Sequence, residues 1–166
     1  PVFLERIART LHPAGLQVSA DLEAEGNVPD ARAVARAVDF VVLMAYDQHY
    51  MAGDAGPLCG ADWFRDVLDR TLADVPPDKL VVGIGNYAYD WTDGRPPAES
   101  RTYQEALYLA ADSRPDERPA DVVDFDSLAL NPTFQYGDEQ GREHEVWMLD
   151  AVTAATFNIF IQFGAV

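Results

Sequence analysis

The sequence predicts an α/β fold built on a parallel sheet, and three observations predict it. Two nearly unbroken apolar runs, Asp39 to Tyr46 (DFVVLMAY) and Lys79 to Asn86 (KLVVGIGN), read as strands covered on both faces. Between them a helical pattern puts Phe64, Val67, Leu68 and Leu72 on one side, and Pro76-Pro77 stops it. Strand, helix and strand in this order call for a right-handed crossover, either in an open doubly wound sheet or in a closed barrel. Periodicity does not separate the two.

The other elements come in order. Leu4, Ile7, Ala8 and Leu11 recur at helical spacing until His12-Pro13-Ala14-Gly15 ends the helix. Leu16 to Asp21 (LQVSAD) is short and β-prone, and a polar loop then leads to a helical stretch from Ala31 to Val38. After Asn86 the rhythm changes. Thr102-Tyr103-Gln104-Glu105 fits a capping box opening a helix to about Ala111. Short β-prone segments come next at Val122–Phe125, Thr133–Tyr136 and Glu145–Leu149, the last two flanking a hairpin-like loop at Gly137–Gly141. This region reads as a small α+β insertion at about 92–143, ending in a strand that rejoins the sheet. A final helix over 152–163 is too apolar all round to stand exposed.

Composition bounds the function. With 48% hydrophobic and 24% charged residues, the chain can build a core, so disorder is excluded as the default. A net charge of −16 opposes binding to nucleic acid or anionic lipid, and is compatible with a neutral polymer or one carrying amines. Solubility alone is the more ordinary account of that charge, which does not choose a substrate. Cys59 is the one cysteine, which removes an internal disulfide and a cysteine metal cluster. No apolar run is long enough for a membrane-spanning helix, and no signal peptide opens the chain. Pro1 begins within a helical pattern, from which we expect a piece of a longer protein with any targeting signal upstream.

In parallel α/β folds the active face lies at the C-terminal ends of the strands. Three such ends are rich in aromatics and carboxylates: Met44-Ala45-Tyr46-Asp47, continuing as Gln48-His49-Tyr50; Asn86-Tyr87-Ala88-Tyr89-Asp90-Trp91; and Trp147-Met148-Leu149-Asp150. Aromatic faces stack on the C–H face of a sugar ring while carboxylates, amides and phenols bond its polar groups. Taken singly each aromatic reads as core; the coincidence at three strand ends suits carbohydrate. His49 and His144 lack metal-ligand spacing and read as ordinary hydrogen-bonded histidines, so no metal or cofactor is implied. Gly83-Ile84-Gly85 lacks the third glycine of a dinucleotide fingerprint.

VDFVVLMAYDQHY resembles the M-x-Y-D pattern of the sixth barrel strand of family 18 glycoside hydrolases. Gly56-Pro57 and Trp63 resemble the loop and helix after that strand, KLVVGIGNYAYDW the seventh strand, and HEVWMLDAVT the eighth. The resemblance runs from Pro1 to about Thr153. It is similar to the spore-germination-type branch and to the domains fused to polysaccharide deacetylase and glycosyltransferase modules, the phrases LMAYDQHY and GNYAYDW favouring the latter. It implies the C-terminal half, strands five to eight, of a (β/α)8 TIM barrel occupying residues 1–166, with the insertion between strands seven and eight. The implied substrate is a β-linked N-acetylglucosamine polymer such as chitin, cell-wall glycan or exopolysaccharide, and the implied location is extracellular or facing the cell envelope.

In this family the substrate's own acetamido oxygen attacks the anomeric carbon. The resemblance implies that Tyr46 bonds that oxygen, that Asp47 bonds the sugar or acetamide beside it, and that Trp147 floors the cleavage subsite through a cis bond to Met148. Tyr87, Tyr89 and Trp91 would line neighbouring subsites, with Met44 packed around the site. Asp47 as a mere helix cap is the bland alternative. The family's proton donor closes a D-x-x-D-x-D-x-E motif on the fourth strand, which this sequence lacks. Glu23, in Ser19-Ala20-Asp21-Leu22-Glu23, is not that acid: the outer aspartates are Leu16 and Ser19, and the segment sits one strand too late.

Three readings are open: part of a glycosidase, a glycan-binding lectin-like domain that has lost its acid, or an unrelated open α/β sheet with a small-molecule site. The barrel reading expects four parallel strands near 16–21, 39–46, 79–86 and 145–149, and raw edges that need a missing N-terminal half-barrel or a covering chain. These 166 residues alone are expected to show no glycosidase activity, for want of an acid.

Overall fold

The computed structural model describes residues 2–25 and 30–164. Along the chain come α1 (Val2–Leu11), β1 (Ser19–Glu23), α2 (Ala31–Ala37), β2 (Phe40–Met44), α3 (Ala61–Leu72), β3 (Leu80–Gly83), β4 (Tyr87–Thr92) and β5 (Arg95–Thr102). They are followed by α4 (Tyr103–Ser113), α5 (Pro119–Val122), β6 (Asp124–Asp126), β7 (Asn131–Gly137), β8 (Glu143–Met148) and α6 (Ala151–Gly164). The chain divides into two compact units: residues 1–46, 65–84 and 160–166 form one, residues 47–64 and 85–159 the other.

The first unit holds a parallel sheet in the order β1-β2-β3. Its core is aliphatic: Ala8 from α1, Val34 and Ala35 from α2, and Leu22 and Val41 from the strands pack together with Val18, Val38 and Val75. Two polar devices set its corners. Asp39, one residue before β2, accepts from Val18 N–H at 2.7 Å and lies 3.0 Å from His12 Nε2. The Val18 bond, helped by His12, holds this carboxyl below the usual aspartate range. Lys79, the single lysine of the sequence, donates from Nζ to the carbonyls of Ala35 (2.7 Å) and Val38 (2.8 Å), closing the C-terminal end of α2.

In the second unit an antiparallel sheet runs β5-β4-β8-β7-β6. Strand alternation sends Ala88, Val146, Met148 and Phe134 to one side, where they pack with Ala106 and Ala110 of α4. The predicted capping box opens α4: Thr102 Oγ1 accepts from Glu105 N–H at 3.2 Å and Glu105 Oε2 accepts from Thr102 N–H at 2.7 Å. On that same side lies a polar network. Asp90, wholly buried, takes His144 Nδ1 at 2.7 Å, the Tyr136 hydroxyl at 3.0 Å and Arg101 at 3.3 Å.

Three expectations are corrected here. The first strand begins at Ser19 rather than Leu16, because Val18 pairs with Asp39 and the ladder starts at Ser19 opposite Phe40. Residues 143–148 are not a fourth parallel strand: β8 pairs antiparallel with both β4 and β7, so the parallel sheet has three strands and no barrel closes among the described residues. The apolar run at 79–86 likewise breaks after Gly83, and β4 starts a separate sheet at Tyr87. Unforeseen too was the β4-β5 hairpin, turned by Asp93 (φ 52°) and Gly94 (φ 65°). An Asp-Gly pair with both residues left-handed is a common two-residue hairpin turn, here followed by a strand too polar to be recognised.

Candidate glycan site

Asp47 begins the second unit in an unusual backbone state, at φ 65° without being glycine. Its Oδ1 accepts from two phenols, Tyr87 and, at 3.1 Å, Tyr89. The two tyrosines are two residues apart on β4 and therefore share a face. Their rings meet edge-on at 5.2 Å between centroids, and Tyr89 meets Trp91 in the same way at 5.6 Å. Burial first, and the Asp47 charge second, push the Tyr89 hydroxyl up to about 12. Both phenols thus share one oxygen of the Asp47 carboxylate.

Across the ladder Tyr89 is paired directly with Trp147, and Trp147 in turn with Thr133. Directly opposed residues share a face, so the half-buried indole lies on the side of Tyr87 and Tyr89, opposite α4. Its Nε1 donates to Glu145 Oε1 at 2.7 Å, which fixes the ring. The bond from Trp147 to Met148 is trans, contrary to expectation: the described residues hold one cis bond, Pro96–Pro97, and Met148 continues the ladder opposite Ala88. A regular strand already aims the indole, so the roughly 2.5–4 kcal/mol of a non-proline cis bond has nothing to offset it here.

Trp91 is a second correction. It is wholly buried, with Nε1 donating to the Gly53 carbonyl at 2.9 Å, so it fixes the loop after Asp47 and lines no open surface. Met44 and Tyr46 belong to the first unit: Met44 ends β2, half-buried between Glu23 and Gly83 in the ladder. The Tyr46 ring lies over Gly83, where an added Cβ would stand 3.6 Å from it. The structure thus gathers Asp47, Tyr87, Tyr89 and Trp147 within the second unit, with Tyr46 next to Asp47 in the chain. Sequence reasoning missed Glu145 and Asn131. Period-two spacing from Trp147 points to Glu145; nothing local marks Asn131.

Asp47 against the Tyr87 and Tyr89 phenols, with Trp147 on the same face of the antiparallel sheet as those tyrosines, makes up the candidate site. No protein-family model matches the sequence. The chain is 33% identical to the cortical fragment-lytic enzyme of Bacillus subtilis strain 168 over 95% of its own length and 38% of that protein's. Among solved structures, the Bacillus cereus spore cortex-lytic enzyme SleL superposes with a TM-score of 0.82 at 30% identity, covering 98% of this chain and 38% of that one. A chitinase from Chromobacterium violaceum gives 0.83 at 29%, covering 98% and 52%. The chain is a homologue of the chitinase-like glycoside hydrolases of family 18, whose domains are TIM barrels. Within them it is related to the spore cortex-lytic enzymes and sporulation-specific glycosylases as well as to chitinases, and it spans about half or less of the length of these relatives.

Proposed function

We propose that the chain is the C-terminal part of a family 18 barrel, with β1, β2 and β3 as wall strands and an α+β insertion at about 92–143, and that the complete domain hydrolyses β-linked N-acetylglucosamine polymers with retention. The arrangement of Asp47 under the Tyr87 and Tyr89 phenols, with Trp147 opposite Tyr89, carries this reading. Tyr46 donates its hydroxyl to the acetamido oxygen as that oxygen attacks the anomeric carbon, and Asp47 accepts from the acetamide N–H. Trp147 supplies the apolar floor. The leaving oxygen takes its proton from an acid outside this segment, since the sequence has no D-x-x-D-x-D-x-E. Among the described residues β1 and β3 each pair on one edge only, and the remainder of the domain is the natural cover for both.

The test assays the chain and the whole protein containing it on chitooligosaccharides and partly deacetylated glucosamine polymers. We expect hydrolysis by the whole protein alone, lost on replacing its upstream glutamate and reduced by Tyr46→Phe. Activity in the 166-residue chain that Glu23→Gln abolishes makes Glu23 the acid and overturns the strand assignment. Binding without hydrolysis by the whole protein gives the lectin-like alternative.

A further inference from the structure

We infer that Asn131 is a positioning residue that seats Asp47 by fastening the far end of the Asp47–Gly60 loop; its bearing on glycan recognition rests on the reading of Asp47 given above. Asn131 is the first residue of β7 and wholly buried. Its carboxamide pairs with the backbone of Cys59 as a neighbouring strand would, 72 residues away in sequence. Oδ1 accepts from Cys59 N–H at 3.1 Å and Nδ2 donates to the Cys59 carbonyl at 2.7 Å and to that of Ala129 at 3.1 Å. The Ala61 N–H donates to Ala129 as well, at 3.0 Å.

Fixation at this end reaches Asp47 through one residue. Gln48, next to Asp47 in the chain, accepts from Gly60 N–H at 2.7 Å with its side-chain Oε1 and donates its own N–H to the Leu58 carbonyl at 2.9 Å. The loop is therefore closed on itself at Gln48 and anchored at Cys59. Its middle is held separately, by Trp91 on the Gly53 carbonyl and by Ala98 N–H on that of Met51 at 2.7 Å. A left-handed aspartate persists only where its surroundings determine the backbone. Without Asn131 its two bonds to the Cys59 backbone are gone, the closing end slackens, and Asp47 relaxes away from the two phenols.

The titration of Tyr89 reports where Asp47 sits, because part of its elevation comes from that carboxylate. Individual phenols are followed by NMR of 13C-labelled tyrosine in the full chain. We expect Tyr89 to fall from about 12 toward the ordinary value of 10 in both Asp47→Asn and Asn131→Ala. Asn131→Ala should add nothing once Asp47→Asn is present. Thr133→Ala is the control: it removes a 2.7 Å bond from the same strand to the Val146 carbonyl, and should lower stability while leaving Tyr89 in place. Should Asn131→Ala fail to fold, Asn131→Asp keeps the acceptor for Cys59 N–H and loses both donated bonds, and the same fall is expected. A folded Asn131 variant with unchanged Tyr89, or an equal fall in Thr133→Ala, overturns the proposal. In the whole protein, affinity for chitooligosaccharides should weaken in the Asn131 variants as in Asp47→Asn. If the wild type binds none, the glycan reading fails, while the tyrosine titration still decides the role of Asn131.

Discussion

The two units answer the same problem, a sheet that must be covered, with different chemistry. The first buries its parallel strands against helices through small aliphatic side chains such as Ala8, Val34 and Val41, and confines polar groups to its corners at Asp39 and Lys79. The second buries a carboxylate and an imidazole, bonded to a half-buried phenol, beneath one face of its sheet and puts tyrosines and a tryptophan on the other. An apolar core tolerates inexact shape, because dispersion and burial are not directional. A polar network tolerates no missing partner. The second unit should therefore be the more sensitive to single changes, and it is the one that carries Asp47.

The largest expected effect is at Asp90. Asp90→Ala strands His144, Tyr136 and Arg101 without their common acceptor and should cost about 3–5 kcal/mol, measured by urea unfolding. Hydrogen exchange should quicken first in β4 and β8. If it quickens equally in β1 and β2, the units are not energetically distinct. Next is Lys79→Met in the first unit, which removes two charge-assisted bonds to the carbonyls of Ala35 and Val38 while keeping the aliphatic stem. A loss of about 2 kcal/mol is expected, and none at all would make Lys79 incidental. Thr102→Ala removes the cap of α4 and should cost about 1 kcal/mol, with lower helicity as the readout.

The smallest effect is one that acid removes. Burial alone would raise Asp138, but bonds from Arg142 N–H, the Arg142 guanidinium and His144 outweigh it and hold the carboxyl down to about 2, from an ordinary 3.8. A carboxyl depressed in the folded state stabilises above its unfolded value and loses that stabilisation as pH falls through the folded one. The stability gap between the native chain and Asp138→Asn should be constant above pH 3.8 and shrink between there and about 2. A gap that persists at the lowest pH would trace the loss to the loop rather than to the charge.

Helices and apolar strands could be read from the sequence because their signals are local: the spacing of Leu4, Ile7, Ala8 and Leu11, the capping box at Thr102, the runs DFVVLMAY and KLVVGIGN. The hairpin of β4 and β5 could have been read from Asp93-Gly94, had Arg95 to Thr102 not been so polar. That polarity suits an edge strand, where Pro96 and Pro97 leave no N–H for another chain to pair with. Of the site, Asp47, Tyr87, Tyr89 and Trp147 were legible as aromatics and a carboxylate at strand ends.

By itself, then, the sequence determined which segments are helix or strand and which residue types crowd the strand ends, since both depend on periodicity and composition along a few neighbouring residues. Tertiary structure decided the partners. Whether residues 143–148 join a parallel or an antiparallel sheet depends on which strand lies alongside, and Trp91 is buried because the loop carbonyl of Gly53 takes its N–H. The pairing of Asn131 with Cys59 spans 72 residues, and a bond formed across that distance leaves no trace in the local pattern at either end.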